Sequence, residues 1–296
     1  MPEDTERLNC LALGTAQFGL PYGVANREGQ VTRSVAGAML RLAAENGCDT
    51  LDTAIDYGES ESCLGSLGIQ GFRVVTKLPA VPSGCADVGV WVREQTTASL
   101  GRLGVNALHG LLLHRPEQLL GQGGQALYQA LVSLKAAGLV QKIGISVYAP
   151  SELEMLASRY RFDLVQAPLN LLDRRLLTSG WLRRMKDDGV EVHVRSVFLQ
   201  GLLLMSLDSI PAGFSRWSHV WSTWHDWLAR ENASAVATCV AFALSFQEID
   251  RVVVGADSLR QLKQVIDAAA DAPRGRWPEM TCNDEDLLNP SHWLPK

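Results

Sequence analysis

LALGTAQFG (residues 11–19), VTRSVAGAMLRLAAENG (31–47) and TLDTAIDYG (50–58) follow one another near the start of the chain, and their order decides the fold. The first and third are short apolar runs of strand length. The segment between them is helical in period, with Val35, Met39 and Leu42 on one face and Gly47 as a C-terminal stop. Strand, helix and strand in this order make a βαβ unit with parallel strands.

Working outward, the same rhythm runs to the far end of the chain. Strand-like segments fall at 8–13, 50–54, 73–77, 107–113, 142–146, 164–167, 191–197 and 251–254. Helical stretches such as DVGVWVREQTTASLGRLG (87–104), ALYQALVSLKAAG (126–138) and LRRMKDDG (182–189) each end in glycine, which marks a short return to the sheet. Eight βα units either close into a barrel or remain an open sheet. Closure is favoured, because no GxGxxG follows the first strand and no linker interrupts the middle of the chain. The expected fold is α/β, a single-domain (β/α)8 TIM barrel over residues 1–296. Two stretches break the rhythm, a Trp-rich loop at about 202–232 and an irregular tail at about 273–296. The spacing of Trp217, Trp221, Trp224 and Trp227 is helical, so this segment reads as a loop over the barrel mouth, as an amphipathic helix on the barrel, or as both.

A length of 296 residues and 47% hydrophobic content suit one large core. The net charge is −5 and the basic residues are scattered, which argues against nucleic acid as a partner. Six cysteines without CxxC spacing are expected as reduced thiols of a cytoplasmic protein. The polar start MPEDTERLN has no apolar signal core. No apolar run approaches the length needed to cross a bilayer of about 30 Å, so no membrane association is expected.

In a barrel of this kind, catalytic groups sit at the C-terminal ends of strands. Asp52 and Tyr57 follow the second strand, Lys77 closes the third and His114 closes the fourth. Singly, an Asp there caps a turn, a Lys is solvated and a His packs in the core. Together, four side chains from consecutive units suit carbonyl reduction, because the oxygen that gains negative charge needs a proton donor beside it. Tyrosine is a weak acid, and an adjacent ammonium favours its ionised form, a role open to Lys77 with Asp52 as its partner. His114 is placed to hydrogen-bond the substrate carbonyl. Lys77 as a Schiff-base amine of a lyase is a competing reading.

GTAQFG, LDTAIDYGESE, VVTK, LLLHRP, KIGISVY and VQAPLN, in this order, resemble the aldo-keto reductase family, in its bacterial GTAQFG-type branch. The resemblance runs from Leu11 to about Asp267. It implies a (β/α)8 barrel that binds NADPH, or less often NADH, and reduces an aldehyde or ketone, sugar-derived carbonyls included. By motif, the catalytic tetrad falls on Asp52, Tyr57, Lys77 and His114, while Asp56 is a loop residue. The implied cofactor contacts are Gly14 and Thr15 after strand one, Ser146 and Gln166 at the nicotinamide carboxamide, and Arg195, Ser196, Phe198 and Gly201 after strand seven. Gly255, Ser258, Gln261 and Gln264 fall in the phosphate-binding loop and helix. No metal is implied.

Four positions depart from the family pattern. Arg195 stands where an aromatic often lies under the nicotinamide; it stacks there or pairs with a carboxylate. Val147 replaces a polar residue. Asp257 and Ser258 replace basic residues that hold the 2′-phosphate, and Asp257 repels a phosphate while Arg260 is placed to compensate, which leaves NADPH and NADH both open. Gln17, Phe18, Tyr22 and the tryptophans are candidates for the substrate pocket. A cofactor-binding regulatory subunit with little turnover is the main alternative to an enzyme. Substrate identity, reaction direction and oligomeric state are not legible.

Overall fold

In the computed structural model, which describes residues 8–271, 275 and 277–293, eight parallel strands close into a barrel in sequence order. They are β1 (Leu11–Gly14), β2 (Thr50–Asp52), β3 (Arg73–Leu78), β4 (Leu108–Leu113), β5 (Val140–Ser146), β6 (Leu164–Pro168), β7 (Glu191–Arg195) and β8 (Arg251–Gly255). Helices flank them: α1 (Arg33–Glu45), α2 (Ser60–Leu67), α3 (Val88–Leu103), α4 (Gly124–Ala136), α5 (Pro150–Ala157), α6 (Arg175–Thr178), α7 (Trp181–Asp187), α8 (Ser218–Glu231), α9 (Ala235–Leu244), α10 (Leu259–Ala270) and α11 (Glu285–Leu288). The seam is β1, whose Gly14 is in register with Asp52 on one side and with Gly255 on the other.

All eight expected strands form. Leu8 and Asn9 differ, standing in a helical turn, and the first strand begins only where Val252 N donates to Cys10 O at 2.7 Å. The seventh strand stops at Arg195 because Ser196 turns left-handed, with φ 62°.

The barrel is filled in layers. Val75, Leu112 and Leu164 form a fully buried apolar layer. Gly144 leaves room for it, since a Cβ there would lie 1.9 Å from the Leu164 carbonyl oxygen. At the N-terminal end, Glu191 accepts hydrogen bonds at its carboxylate from Lys142 and pairs with His193 at 2.6 Å and His109 at 3.0 Å. Outside the barrel, buried Glu61 of α2 accepts from Thr76 and Ser99, each at 2.7 Å, and pairs with Arg102, tying α2, β3 and α3 together. The Glu191 cluster ties the N-terminal end of the barrel, leaving the opposite end free for chemistry.

The Trp-rich segment is a run of 3-10 turns (Leu199–Leu204, Leu207–Ser209, Ala212–Trp217) followed by α8. Leu204, Met205, Ser206 and Ser209 of its first part line the cavity, and the part that carries most of the tryptophans is helical. Trp221 and Trp224 are buried, and their indole N–H groups donate to Phe214 O at 3.1 Å and Leu203 O at 2.9 Å. Trp217 donates to Asp284 at 3.0 Å. In the tail, Leu287 and Leu288 of α11 are buried and Cys282 N donates to Leu172 O, so 277–293 packs on the barrel. Of the expected irregular tail, 273, 274, 276 and 294–296 lie outside the described residues, as do 1–7 of the polar start. Among the described residues, no disulfide forms and no helix is long and apolar enough to cross a membrane.

Candidate active site

A cavity of about 750 Å³ opens at the C-terminal ends of the strands. Asp52, Tyr57, Lys77 and His114 all line it. Asp52 ends β2, Lys77 lies in β3, Tyr57 follows in the turn after β2 and His114 directly follows β4. Lys77 Nζ donates to Asp52 Oδ2 at 2.7 Å and to Thr53 O at 2.8 Å. Gln166 Nε2 donates to the other oxygen, Asp52 Oδ1, at 2.7 Å. The Lys77 and Asp52 side chains are 1% and 6% exposed, so the pair is held out of water and its geometry is rigid.

Tyr57 packs edge-on to His114, with ring centroids 5.9 Å apart. The Lys77 ammonium lies 5.2 Å from the Tyr57 ring centroid. It does not hydrogen-bond the phenol, whose hydroxyl has no hydrogen-bond partner among the described residues. Burial first, and the Asp52 charge second, push the Tyr57 phenol well above its ordinary value, so it stays protonated. Burial, reinforced by the charges of Lys77 and Arg195, pushes His114 down to about 3, which keeps a neutral imidazole beside the phenol. Burial also lowers Lys77, against the pull of Asp52.

The expected cofactor positions divide into two groups. Gly14, Thr15, Ser146, Gln166, Arg195, Ser196, Phe198, Gly201, Gly255, Gln261 and Gln264 line the same cavity as the tetrad. Thr15 also pins the structure, its hydroxyl donating to Asp52 O at 3.0 Å. Ser258 does not reach the cavity wall. Its hydroxyl caps α10 by accepting from Gln261 N at 3.4 Å, and its neighbour Asp257 lines the cavity instead.

Arg195 lies 4.5 Å from the Tyr148 ring centroid and donates to Val147 O at 3.0 Å, with no carboxylate in ion-pair range among the described residues. Its contact is with the Tyr148 ring. After Arg195 the backbone is strained: Ser196, Leu199 and Gln200 are left-handed, with φ of 62°, 47° and 51°. Such strain costs roughly 1–3 kcal/mol per residue and persists where surrounding packing over-determines it.

Gln17 and Tyr22 line the cavity as expected, whereas Phe18 is 1% exposed in the core and none of the four tryptophans reaches the cavity. Asp56 stands in the turn beside Tyr57, exposed at the mouth. Sequence reasoning missed Asn26, whose amide nitrogen ties Tyr22 O, Gly29 O and Asp257 Oδ1, and whose Oδ1 accepts from Glu28 N and Gly29 N. Its signal was an asparagine between Gly23 and Gly29, the composition of an Asx turn. No group of three metal-ligating side chains occurs among the described residues.

Residues 10–273 match the sequence profile of the Aldo/keto reductase family. The chain belongs to that family. An aldo-keto reductase of Mycobacterium ulcerans is 29% identical over 128 residues, 43% of this chain and 44% of the relative. A 6-dehydroglucose reductase of Agrobacterium fabrum is 28% identical over 174 residues, 52% of this chain and 58% of that protein. The matched segments thus span about half of these curated relatives. The holo form of the aldo-keto reductase AKR11C1 from Bacillus halodurans superposes with a TM-score of 0.69 at 21% identity, covering 88% of this chain and 86% of its own. Within this aldo-keto reductase barrel, the four tetrad positions and the strained turn after β7 share one cavity.

Proposed function

We propose that this aldo-keto reductase is an NAD(P)H-dependent oxidoreductase that reduces a small aldehyde or ketone to an alcohol, with Tyr57 as proton donor. The observation that carries this reading is the buried Lys77–Asp52 pair beside a protonated phenol and a neutral imidazole on one cavity wall.

The residues present suit a nicotinamide dinucleotide. Ser146 Oγ donates to Gln166 Oε1 at 3.2 Å, which leaves the Ser146 lone pairs and one Gln166 N–H for a carboxamide. Gly14 and Gly255, side by side at the β1–β8 seam, narrow the wall by no side chain. When bound, the reduced nicotinamide supplies a hydride to the carbonyl carbon. Tyr57 then delivers its phenolic proton to the carbonyl oxygen as negative charge develops there. His114, neutral, donates one N–H to the same oxygen and fixes its position. Lys77, paired with Asp52 and 5.2 Å from the Tyr57 ring centroid, places positive charge near the phenolate that the proton transfer leaves behind. Two of its three N–H groups are committed to Asp52 and Thr53 O, which argues against an amine free to form a Schiff base.

The name of the Agrobacterium relative makes sugar-derived carbonyls a substrate class to assay first. The test is consumption of NADPH or NADH by the purified protein with 4-nitrobenzaldehyde and a panel of aldehydo- and ketosugars. Tyr57→Phe is expected to lower turnover by about 10²–10⁴-fold and to leave cofactor binding intact. A protein that binds cofactor yet turns over no carbonyl in the panel supports a regulatory subunit instead.

A further inference from the structure

The cavity has two ends. One holds the tetrad; the other is the corner between β8 and α10, lined by Gly255, Asp257, Arg260, Gln261 and Gln264. Granting the nicotinamide reading above, a dinucleotide whose reactive ring sits at Tyr57 extends its adenosine half toward this second end. We propose that Asp257 makes the corner select a free adenosine ribose, and so NADH over NADPH.

Three observations support the assignment. First, the Asp257 carboxylate is fixed in place. Asn26 Nδ2 donates to Asp257 Oδ1 at 3.2 Å, and Asn26 is itself locked by its bonds to Tyr22, Glu28 and Gly29. Exposed Glu28 adds negative charge nearby. Second, two of the backbone donors at the start of α10 are engaged by this loop itself. Asp257 N donates to Gln261 Oε1 at 2.7 Å and Gln261 N to Ser258 Oγ at 3.4 Å. A phosphate that used these two donors would displace both side chains and, wherever it sat in this corner, would face a carboxylate, whereas a ribose diol offers hydroxyl donors that a carboxylate accepts. Third, among the described residues no cation pairs with the carboxylate at this end, although Arg27 and Arg260 line it. Arg260 and Arg27 are exposed, and neither guanidinium makes an ion pair or hydrogen bond among the described residues. They remain hydrated while Asp257 is held.

The test is equilibrium binding of NADH and NADPH to the full-length protein, followed by calorimetry and by quenching of tryptophan fluorescence. The wild type is expected to bind NADH at least about tenfold more tightly than NADPH. Asp257→Asn, which keeps the shape and the backbone bond to Gln261, and Asp257→Ser are expected to tighten NADPH and close most of that gap. Equal or tighter binding of NADPH by the wild type overturns the inference while leaving the nicotinamide reading in place. So does an unchanged ratio in both variants, or an NADPH preference that disappears in Arg260→Ala. Failure of the wild type to bind either dinucleotide overturns both.

Discussion

Replacing Asp52 by asparagine tests the pair on which the site is built. The carboxylate receives Lys77 Nζ at 2.7 Å on one oxygen and Gln166 Nε2 at 2.7 Å on the other, and water reaches almost none of it. Asparagine keeps the shape but removes the charge, leaving a buried ammonium with Thr53 O as its remaining strong acceptor. Breaking one side of a buried pair costs about 3–5 kcal/mol. With an unfolding entropy of about 2.1 cal/mol/K per residue, a chain of this size should lose roughly 5–8 °C in melting temperature. Without its partner, Lys77 falls further below its ordinary value of 10.5, and the folded state then favours a neutral amine that the unfolded chain keeps protonated. The deficit should therefore shrink as pH rises toward 10.5. Lys77→Met in the same background should restore part of the stability while abolishing turnover. Thermal melts followed by circular dichroism at pH 7 and 9.5 measure all of this. A single variant within 1 °C of wild type at pH 7, or a double variant no more stable than the sum of the singles, refutes the description of this pair as buried and mutually dependent.

The opposite end of the barrel gives a second pH signature. Burial alone would raise Glu191, but hydrogen bonds from His109, His193 and Lys142 together outweigh it and hold the carboxyl well below its ordinary 4.5. Glu191→Gln should cost about 1.5–3 kcal/mol in urea unfolding at pH 7, and the gap should narrow as pH falls below the unfolded value of 4.5. His114, pushed down to about 3 by burial and neighbouring charge, should show no ring titration in NMR spectra between pH 8 and 5; an inflection near 6.5 contradicts the buried, neutral imidazole. Trp224→Phe removes the N–H held by Leu203 O and should raise KM more than it lowers kcat, because the turn it supports lines the cavity away from Tyr57; an effect on kcat alone speaks against that role.

The barrel was legible because each βα unit carries its own local signals: a short apolar run, a helical stripe and a terminal glycine. The tetrad was legible because strand ends in such a barrel point to one mouth. What escaped depends on backbone geometry that no local pattern encodes. Ser258 matches a binding motif, yet its hydroxyl is spent on the helix cap, and Asp257 takes the cavity position. Phe18 follows strand one at the mouth but turns inward to 1% exposure. Left-handed Ser196, Leu199 and Gln200 carry no glycine to announce them. The relation of Lys77 to Tyr57 depends on where burial leaves each group, which spacing along the chain does not report.

The indole grip on the turn after β7 has an evolutionary consequence. Leu204, Met205, Ser206 and Ser209 line the cavity, while Trp224 and Trp221 hold Leu203 O and Phe214 O on either side of that stretch. Cavity lining and anchorage therefore rest on separate residues. Substitutions at the lining positions leave the two indole bonds untouched, so the shape of this wall is free to change without re-founding the scaffold.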